Sequence, residues 1–266
     1  MAVERVKIDR EGGVAEVRLV RGDKHNALDL EMFRSIAAAQ AELRADSAVR
    51  AVVLHGEGPS FCSGLDLGAV ATGALEIGTL IDRPLDEVAN LAQTAAHGWR
   101  TLPFPVVAAI HGACFGGGLQ IALGADLRIS AADARLSVME VKLGLLPDMA
   151  ISASLPRLVR ADVAKELAWS GREVSGTEAV ELGLVTRVAD PPLAAARELA
   201  GKLATKSPHA IRAIKRLFDQ AWNEPPERSL RLETELVRTL LGSPNQIEAA
   251  RAAIAGEQPS FADPEL

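Results

Sequence analysis

Two short runs of alternating residues, Val3 to Asp9 and Val14 to Val20, flank Gly12-Gly13 and predict a β-hairpin. Residues 29 to 45 change period: Met32, Ile36, Ala39 and Leu43 fall on one face of a helix, with Asp29 as its N-cap. Ala51-Val52-Val53-Leu54 and Val106 to Ile110 are near-continuous apolar runs, the pattern of strands buried on both faces. The second enters through Pro103-Phe104-Pro105 and leaves through His111-Gly112, after which a short helix is expected to start at Gly116-Gly117-Gly118. Leu127 to Ser130 predicts a further strand. Residues 68 to 93 carry Gly68, Gly73, Gly78 and Pro84 and no clear period, which points to a mobile lid or insertion. From about residue 155 the chain turns mainly helical, punctuated by Gly171, Gly183 and Pro208. Strands alternate with helices early and helices dominate late, so an α/β core followed by a helical C-terminal part is expected.

The 266 residues suit one large domain, for which a compact monomer exposes about 11,000 Å2. Lys and Arg total 29 against 35 Asp and Glu, a net charge of −6, and aromatic residues are 3% of the chain with no Tyr. This surface neither concentrates phosphate backbone nor offers stacking platforms, so nucleic acid is excluded as the expected partner. Cys62 and Cys114 are too few for a disulfide framework and fit a reducing compartment. MAVERVKIDREGG has no apolar leader-like run, and no stretch is long and apolar enough for a membrane span, so a cytoplasmic protein is expected.

Three segments could carry chemistry. Three successive glycines in the first turn of a buried helix are unfavourable by about 0.5–1 kcal/mol each relative to Ala. They call either for tight helix-on-sheet packing or for main-chain N–H groups aimed at an oxygen that gains negative charge. The loop Gly58-Pro59-Ser60-Phe61-Cys62-Ser63-Gly64-Leu65-Asp66-Leu67 follows a different strand, and the two strand ends together would grip one carbonyl oxygen. Ser137 to Asp148 embeds Glu140 and Asp148 among apolar residues. Burial would raise such a carboxyl toward neutrality and make it a proton carrier, whereas pairing of Glu140 with Lys142 or an Arg would make it a surface group. Asp148 beside Pro147 also reads as a loop cap.

Other motifs are absent. Position 61 is Phe, so Gly56-Glu57-Gly58 is not a dinucleotide fingerprint; there is no P-loop and no G-x-S-x-G elbow. His25, His55, His97, His111 and His209 have no metal-ligand spacing, and the two cysteines read as small buried residues, so no metal is expected.

Arg21-Gly22-Asp23-Lys24-His25-Asn26-Ala27-Leu28, Phe61 to Leu67, Pro105 to Gly118 and Met139 to Gly144, taken in order with Leu182-Gly183-Leu184-Val185 and Ser207-Pro208, resemble the crotonase or enoyl-CoA hydratase/isomerase superfamily over nearly the whole chain. The resemblance implies an α/β spiral of ββα units over residues 1–195 with the acyl-CoA site, and a helical region, 196–266, that assembles a homotrimer or a dimer of trimers. It implies an acyl-CoA thioester substrate, coenzyme A being part of that substrate and no separate cofactor being needed. By position, the oxyanion would meet the N–H groups of Leu65 and Gly117, and Glu140 would transfer the proton. The first catalytic glutamate of hydratases falls on Gln120, which orients but takes no proton; double-bond isomerisation is therefore favoured over hydration. Asp148, eight residues after Glu140, partly matches the acidic pair of dienoyl-CoA isomerases. Arg21 and Lys24 are the expected contacts to CoA phosphates, with Ala27, Ser63, Asp66 and Leu67 alongside, because the basic residues usual before the Pro of Gly256-Glu257-Gln258-Pro259-Ser260-Phe261 are missing. The segment 68–93 is expected to shape the acyl end of the pocket.

Overall fold

A computed structural model of the chain describes residues 4–83 and 85–265; Val3 and Pro84, named above, lie outside them. The N-terminal hairpin forms as expected: β1 (Val6–Glu11) pairs antiparallel with β2 (Val14–Leu19), Val6 opposite Leu19. Helix α1 (Leu30–Arg44) starts where Asp29 accepts the Met32 N–H at 2.8 Å, and Met32, Ile36, Ala39 and Leu43 are buried. Strand β3 (Ala51–Gly56) is buried throughout.

The segment 68–93 is more ordered than its sequence suggests. It contains two one-turn helices, α2 (Leu67–Ala71) and α3 (Ile77–Ile81), and the start of α4 (Leu91–Arg100), which opens on a reciprocal Asn90–Gln93 capping box. A single turn is too short to display a 3.6-residue period, which is why the pattern is unreadable there. Strand β4 (Val106–Ile110) is followed by a strand the sequence does not announce, β5 (Ala113–Phe115), before α5 (Gly117–Gly124). β6 (Leu127–Ser130) is likewise followed by β7 (Arg135–Ser137). After these come α6 (Ile151–Ser154), α7 (Ala161–Ser170), β8 (Val174–Ser175), α8 (Gly176–Leu182) and β9 (Arg187–Val188). Four helices close the chain: α9 (Pro192–Ala204), α10 (Pro208–Ala221), α11 (Pro226–Leu240) and α12 (Pro244–Ala255). Gly171 and Gly183 end α7 and α8 in the left-handed conformation, and Pro208 opens α10.

The six-stranded sheet has the order β1-β2-β3-β4-β6-β9 and is parallel except for β1. The three-stranded sheet has the order β5-β7-β8. The chain thus visits the large sheet, then the small one, then a helix: β4, β5, α5 is one turn of a spiral. The preceding turns add to the small sheet only as single bridges, Leu28 to Leu65 and Cys62 to Cys114. Alternation along each strand divides the core. Val52, Leu54, Val106 and Ala108 face Met32, Ile36 and Trp99 of α1 and α4, while Ala51, Val53, Val107 and Ala109 face Ala196 and Ala200 of α9.

The expected division at 195/196 falls within α9. Helix α9 spans it and packs on β3 and β4, so the cover of the sheet runs to Ala204 and the separate helical region is α10–α12. It is tied back by side chains, Lys215 to Asp126, Arg100 to Asp219 at 2.6 Å and Arg50 to Asp263 at 2.8 Å. Among the described residues no helix is long and apolar enough to cross a membrane.

Candidate active site

The site begins with a buried asparagine. Asn26, with no exposed surface, donates from Nδ2 to the carbonyls of Glu57, Ser60 and Phe61 at 2.9, 2.8 and 3.2 Å, and its Oδ1 accepts the Arg21 N–H at 2.9 Å. This holds the loop after β3 against the segment after β2. The Ser63 N–H then donates to the His25 carbonyl, the Leu28 N–H to Gly64 at 2.8 Å and the Asp66 N–H to Leu28 at 3.0 Å. In a parallel pairing the two residues flanking the partner make the bonds. Leu65, between them, turns its own N–H the other way.

The helix α5 stands on that other side. Cys62 N–H donates to Ala113 and Phe115 N–H to Cys62, zipping the loop along β5 as far as Phe115. Gly64 has φ +87°, and a Cβ there would lie 2.8 Å from the Phe115 carbonyl oxygen and 3.6 Å from the Gly117 nitrogen. Only glycine permits so close an approach. Gly117 is the first residue of α5, so its N–H has no acceptor within the helix. Among the described residues neither the Leu65 nor the Gly117 N–H makes a hydrogen bond, and both residues line one cavity of about 390 Å3. The neighbouring Gly118 meets the packing requirement, since a Cβ there would fall 2.4 Å from the Cys62 carbonyl oxygen.

Glu140, 9% exposed, opens a 3-10 turn on the same cavity wall. It makes no ion pair with Lys142 or any Arg among the described residues. Instead its Oε1 accepts the Gln120 Nε2 at 2.7 Å, while its Oε2 is buried with no partner. Burial pushes the carboxyl above the usual range. Its own backbone N–H and Gln120 pull it back, and the charge of Asp148 adds to the rise. Gln120 is engaged at both ends, because its Oε1 accepts the Met149 N–H at 2.9 Å. Asp148 is exposed at the rim of the cavity and makes no hydrogen bond or ion pair among the described residues, so it is not a cap.

The expected CoA contacts separate on inspection. Ser63 and Leu67 line the cavity, and the Ala27 carbonyl accepts from Arg21 Nη1 at 2.9 Å. Asp66 caps α2 through the Ala69 N–H; against the upward push of burial, that bond and Arg21 hold its carboxyl low. The Arg21 guanidinium is paired with Asp66 at 2.7 Å and Asp29 at 3.5 Å. Lys24 is exposed beside it. Both cysteines are buried and unpaired, and burial pushes the Cys62 thiol up to about 12, so neither is a nucleophile.

Two main-chain donors and a buried carboxyl on one apolar cavity form an arrangement able to hold a carbonyl oxygen and move a proton on carbon beside it. Residues 9–263 match the family model described as enoyl-CoA hydratase/isomerase. The chain belongs to that family. It is 30% identical to the short-chain-enoyl-CoA hydratase of Clostridium acetobutylicum over 257 residues, 96% of each chain. It is 31% identical to the mitochondrial Delta(3,5)-Delta(2,4)-dienoyl-CoA isomerase of Rattus norvegicus over 255 residues, covering 91% of this chain and 76% of that one. The crystal structure of enoyl-CoA hydratase from Bacillus anthracis superimposes with a TM-score of 0.87 at 28% identity, over 97% of this chain and 98% of that one. This member of the enoyl-CoA hydratase/isomerase family thus has the crotonase fold of its solved relatives. Its sequence alone does not reveal the part played by Met149, whose N–H anchors Gln120 from 29 residues away. Nor does it reveal that Phe33 reaches the cavity from α1.

The raised Glu140 carboxyl makes a stability prediction. Stability tied to a raised carboxyl is fully present below its unfolded pKa, about 4.3, and is lost as pH rises through the higher folded value. Glu140→Gln, neutral throughout, is therefore expected to be more stable than the parent at pH 7, with the gap closing toward pH 4. Denaturant titrations at both pH values check this; an equal gap at both would remove burial as the cause.

Proposed function

We propose that this family member moves a carbon–carbon double bond in an enoyl-CoA or dienoyl-CoA, with Glu140 as the proton carrier. The observation that carries the reading is the division of labour at Glu140: Oε1 is held by Gln120, and Oε2 is buried without a partner on the wall that also bears Leu65 and Gly117. The thioester oxygen would accept both amide N–H groups. Glu140 Oε2 would take a proton from one carbon of the allylic system, leaving a dienolate whose charge falls on that oxygen, and return the proton to the other carbon. One base is enough, and atoms and charge balance without a co-reactant. A donor of this kind is worth roughly 3–4 kcal/mol to the transition state. Coenzyme A enters as part of the substrate, and no further cofactor or metal is proposed.

Hydration of 2-enoyl-CoA is the second reading, favoured by the unpaired Asp148 carboxylate on the cavity rim. It asks for one group to take a proton from water and another to deliver one to carbon. Gln120 supplies neither, since an amide at both ends of its hydrogen bonds has no proton to exchange.

Self-association is proposed on separate grounds. Ile214 and Phe218 on α10, Trp222 just after it, and Val237 and Leu241 at the end of α11 are exposed apolar residues, and the chain exposes 13455 Å2 where a compact monomer of this mass exposes about 11,000 Å2. These support a homotrimer or a dimer of trimers built through the helical region. Sedimentation is expected to give the mass of a trimer or hexamer, lowered by Trp222→Glu; a monomeric parent would contradict it.

Ultraviolet absorbance tests the reaction. A 3-enoyl-CoA is expected to gain conjugated absorbance, and Glu140→Gln to lose this rate by about 100-fold or more while still binding the thioester. Loss of absorbance from 2-enoyl-CoA as the faster reaction would favour hydration. No turnover with binding retained would leave a silent acyl-CoA scaffold.

A further inference from the structure

A second cavity, of about 990 Å3, lies between the core and the helical region. Leu102 and Pro103 on its wall lead into the N-terminal end of β4, whereas Gly116, Gly117 and Gln120 of the active site follow the C-terminal end of that strand. The two cavities therefore lie at opposite ends of the parallel sheet and share no lining residue.

The lining of this second cavity is cationic. In a chain of net charge −6 it carries five Arg or Lys side chains, from α4, α10 and the 3-10 turn Leu155–Arg157, against three carboxylates. Arg100 is matched by Asp219, Lys215 by Asp126, and Asp263 is taken by Arg50. Arg157, Arg212 and Arg216 have no carboxylate partner among the described residues. Arg157 donates to the Asp219 main-chain carbonyl at 3.2 Å and Arg216 to the Gln220 side chain at 3.4 Å. Arg212 makes no hydrogen bond there: its Nε is buried without a partner, and its guanidinium stands 5.9 Å from the centre of the Phe104 ring. A contact of that kind leaves the N–H donors of the fork free. The exposed Glu265 is the remaining carboxylate, so three unmatched cations against one acid leave an excess of two. The field agrees, since burial and then the charges of Arg100 and Arg157 push the His97 ring below the usual imidazole range, with Asp219 opposing them.

Guanidiniums that face one cavity without counter-charge repel one another, and an anion with several oxygens relieves the repulsion while accepting from their planar forks. One phosphate occupies one or two forks; three forks and this volume suit two linked phosphates. We infer that this cavity binds a diphosphate group, held by Arg157, Arg212 and Arg216. Self-association through α10 leaves the site in place, because Arg212 and Arg216 lie on one face of that helix and Ile214 and Phe218 on another.

A free diphosphate and a nucleoside diphosphate carry the same chemistry, and titration calorimetry of the full chain tests both. Inorganic pyrophosphate at low ionic strength is expected to bind at one site per chain, with affinity falling as salt is added. Arg212→Gln, and Arg216→Gln at an exposed side chain, are each expected to weaken it about 10-fold or more. Lys24→Gln, among the residues proposed to meet coenzyme A, should leave it unchanged. ADP binding more tightly than pyrophosphate would assign the site to a nucleotide, and equal or weaker binding to the diphosphate alone. No binding of pyrophosphate at millimolar concentration, or binding lost in Lys24→Gln but kept in both Arg variants, would overturn the inference. Should Arg212→Gln not fold, the parent titration and Arg216→Gln decide. The readout involves no turnover and so stands apart from the reaction proposed above.

Discussion

The structure depends on two main-chain amides being left unpaired at one place. Pairing of a loop to a strand ordinarily consumes its N–H groups, and a buried donor without an acceptor costs about 1–3 kcal/mol. Here the loop after β3 is clamped on one side by Leu28, as far as Asp66, and on the other by β5, where the pairing ends with Gly64 against Phe115. Beyond it Leu65 and Gly117 each have an N–H and no acceptor among the described residues. The spiral of ββα units matters because it brings segments about 50 residues apart, each following its own strand of the large sheet, to neighbouring positions in the small one.

Glu140 sits within that constraint and shares its character. Its carboxyl is held out of water, with one oxygen satisfied by Gln120 and the other without a partner. An arrangement of that kind is unfavourable for folding and favourable for proton exchange with carbon, since a carboxyl raised toward neutrality both accepts and returns a proton readily. The Gln120 amide fits the same logic. A second carboxylate at that distance would add like-charge repulsion, whereas the amide orients Oε1 and, through Met149, fixes the segment that follows Glu140 and Asp148.

Legibility followed the length scale of each signal. Helix α1 could be read from the sequence because several turns repeat one pattern, and strands β3 and β4 because each is an unbroken apolar run of four residues or more. Strands β5 and β7 have three residues apiece, too few to repeat anything, and α2 and α3 have a single turn. The glycines were legible as a demand for close approach but not as a position, because a main-chain amide has no residue-type signature; Leu65 and Gly117 were named by resemblance. Arg21 shows what a sequence hides about a charge. Its charge suggested a phosphate contact, but Asp29 and Asp66, 8 and 45 positions along the chain, fold to within ion-pair reach of it. The buried hydrogen bonds of Gln120 span 20 and 29 positions and were equally invisible.

Infrared difference spectroscopy of an enoyl-CoA carrying carbon-13 at the thioester carbonyl tests the convergence of the two amides most directly, since the stretching frequency reports hydrogen bonding to that oxygen. Both donors acting together should lower the frequency on binding, and a methyl group introduced by Gly64→Ala, which must push Leu65 away from Gly117, should remove most of the change. A carbonyl frequency unaltered by binding to the parent protein would contradict the account.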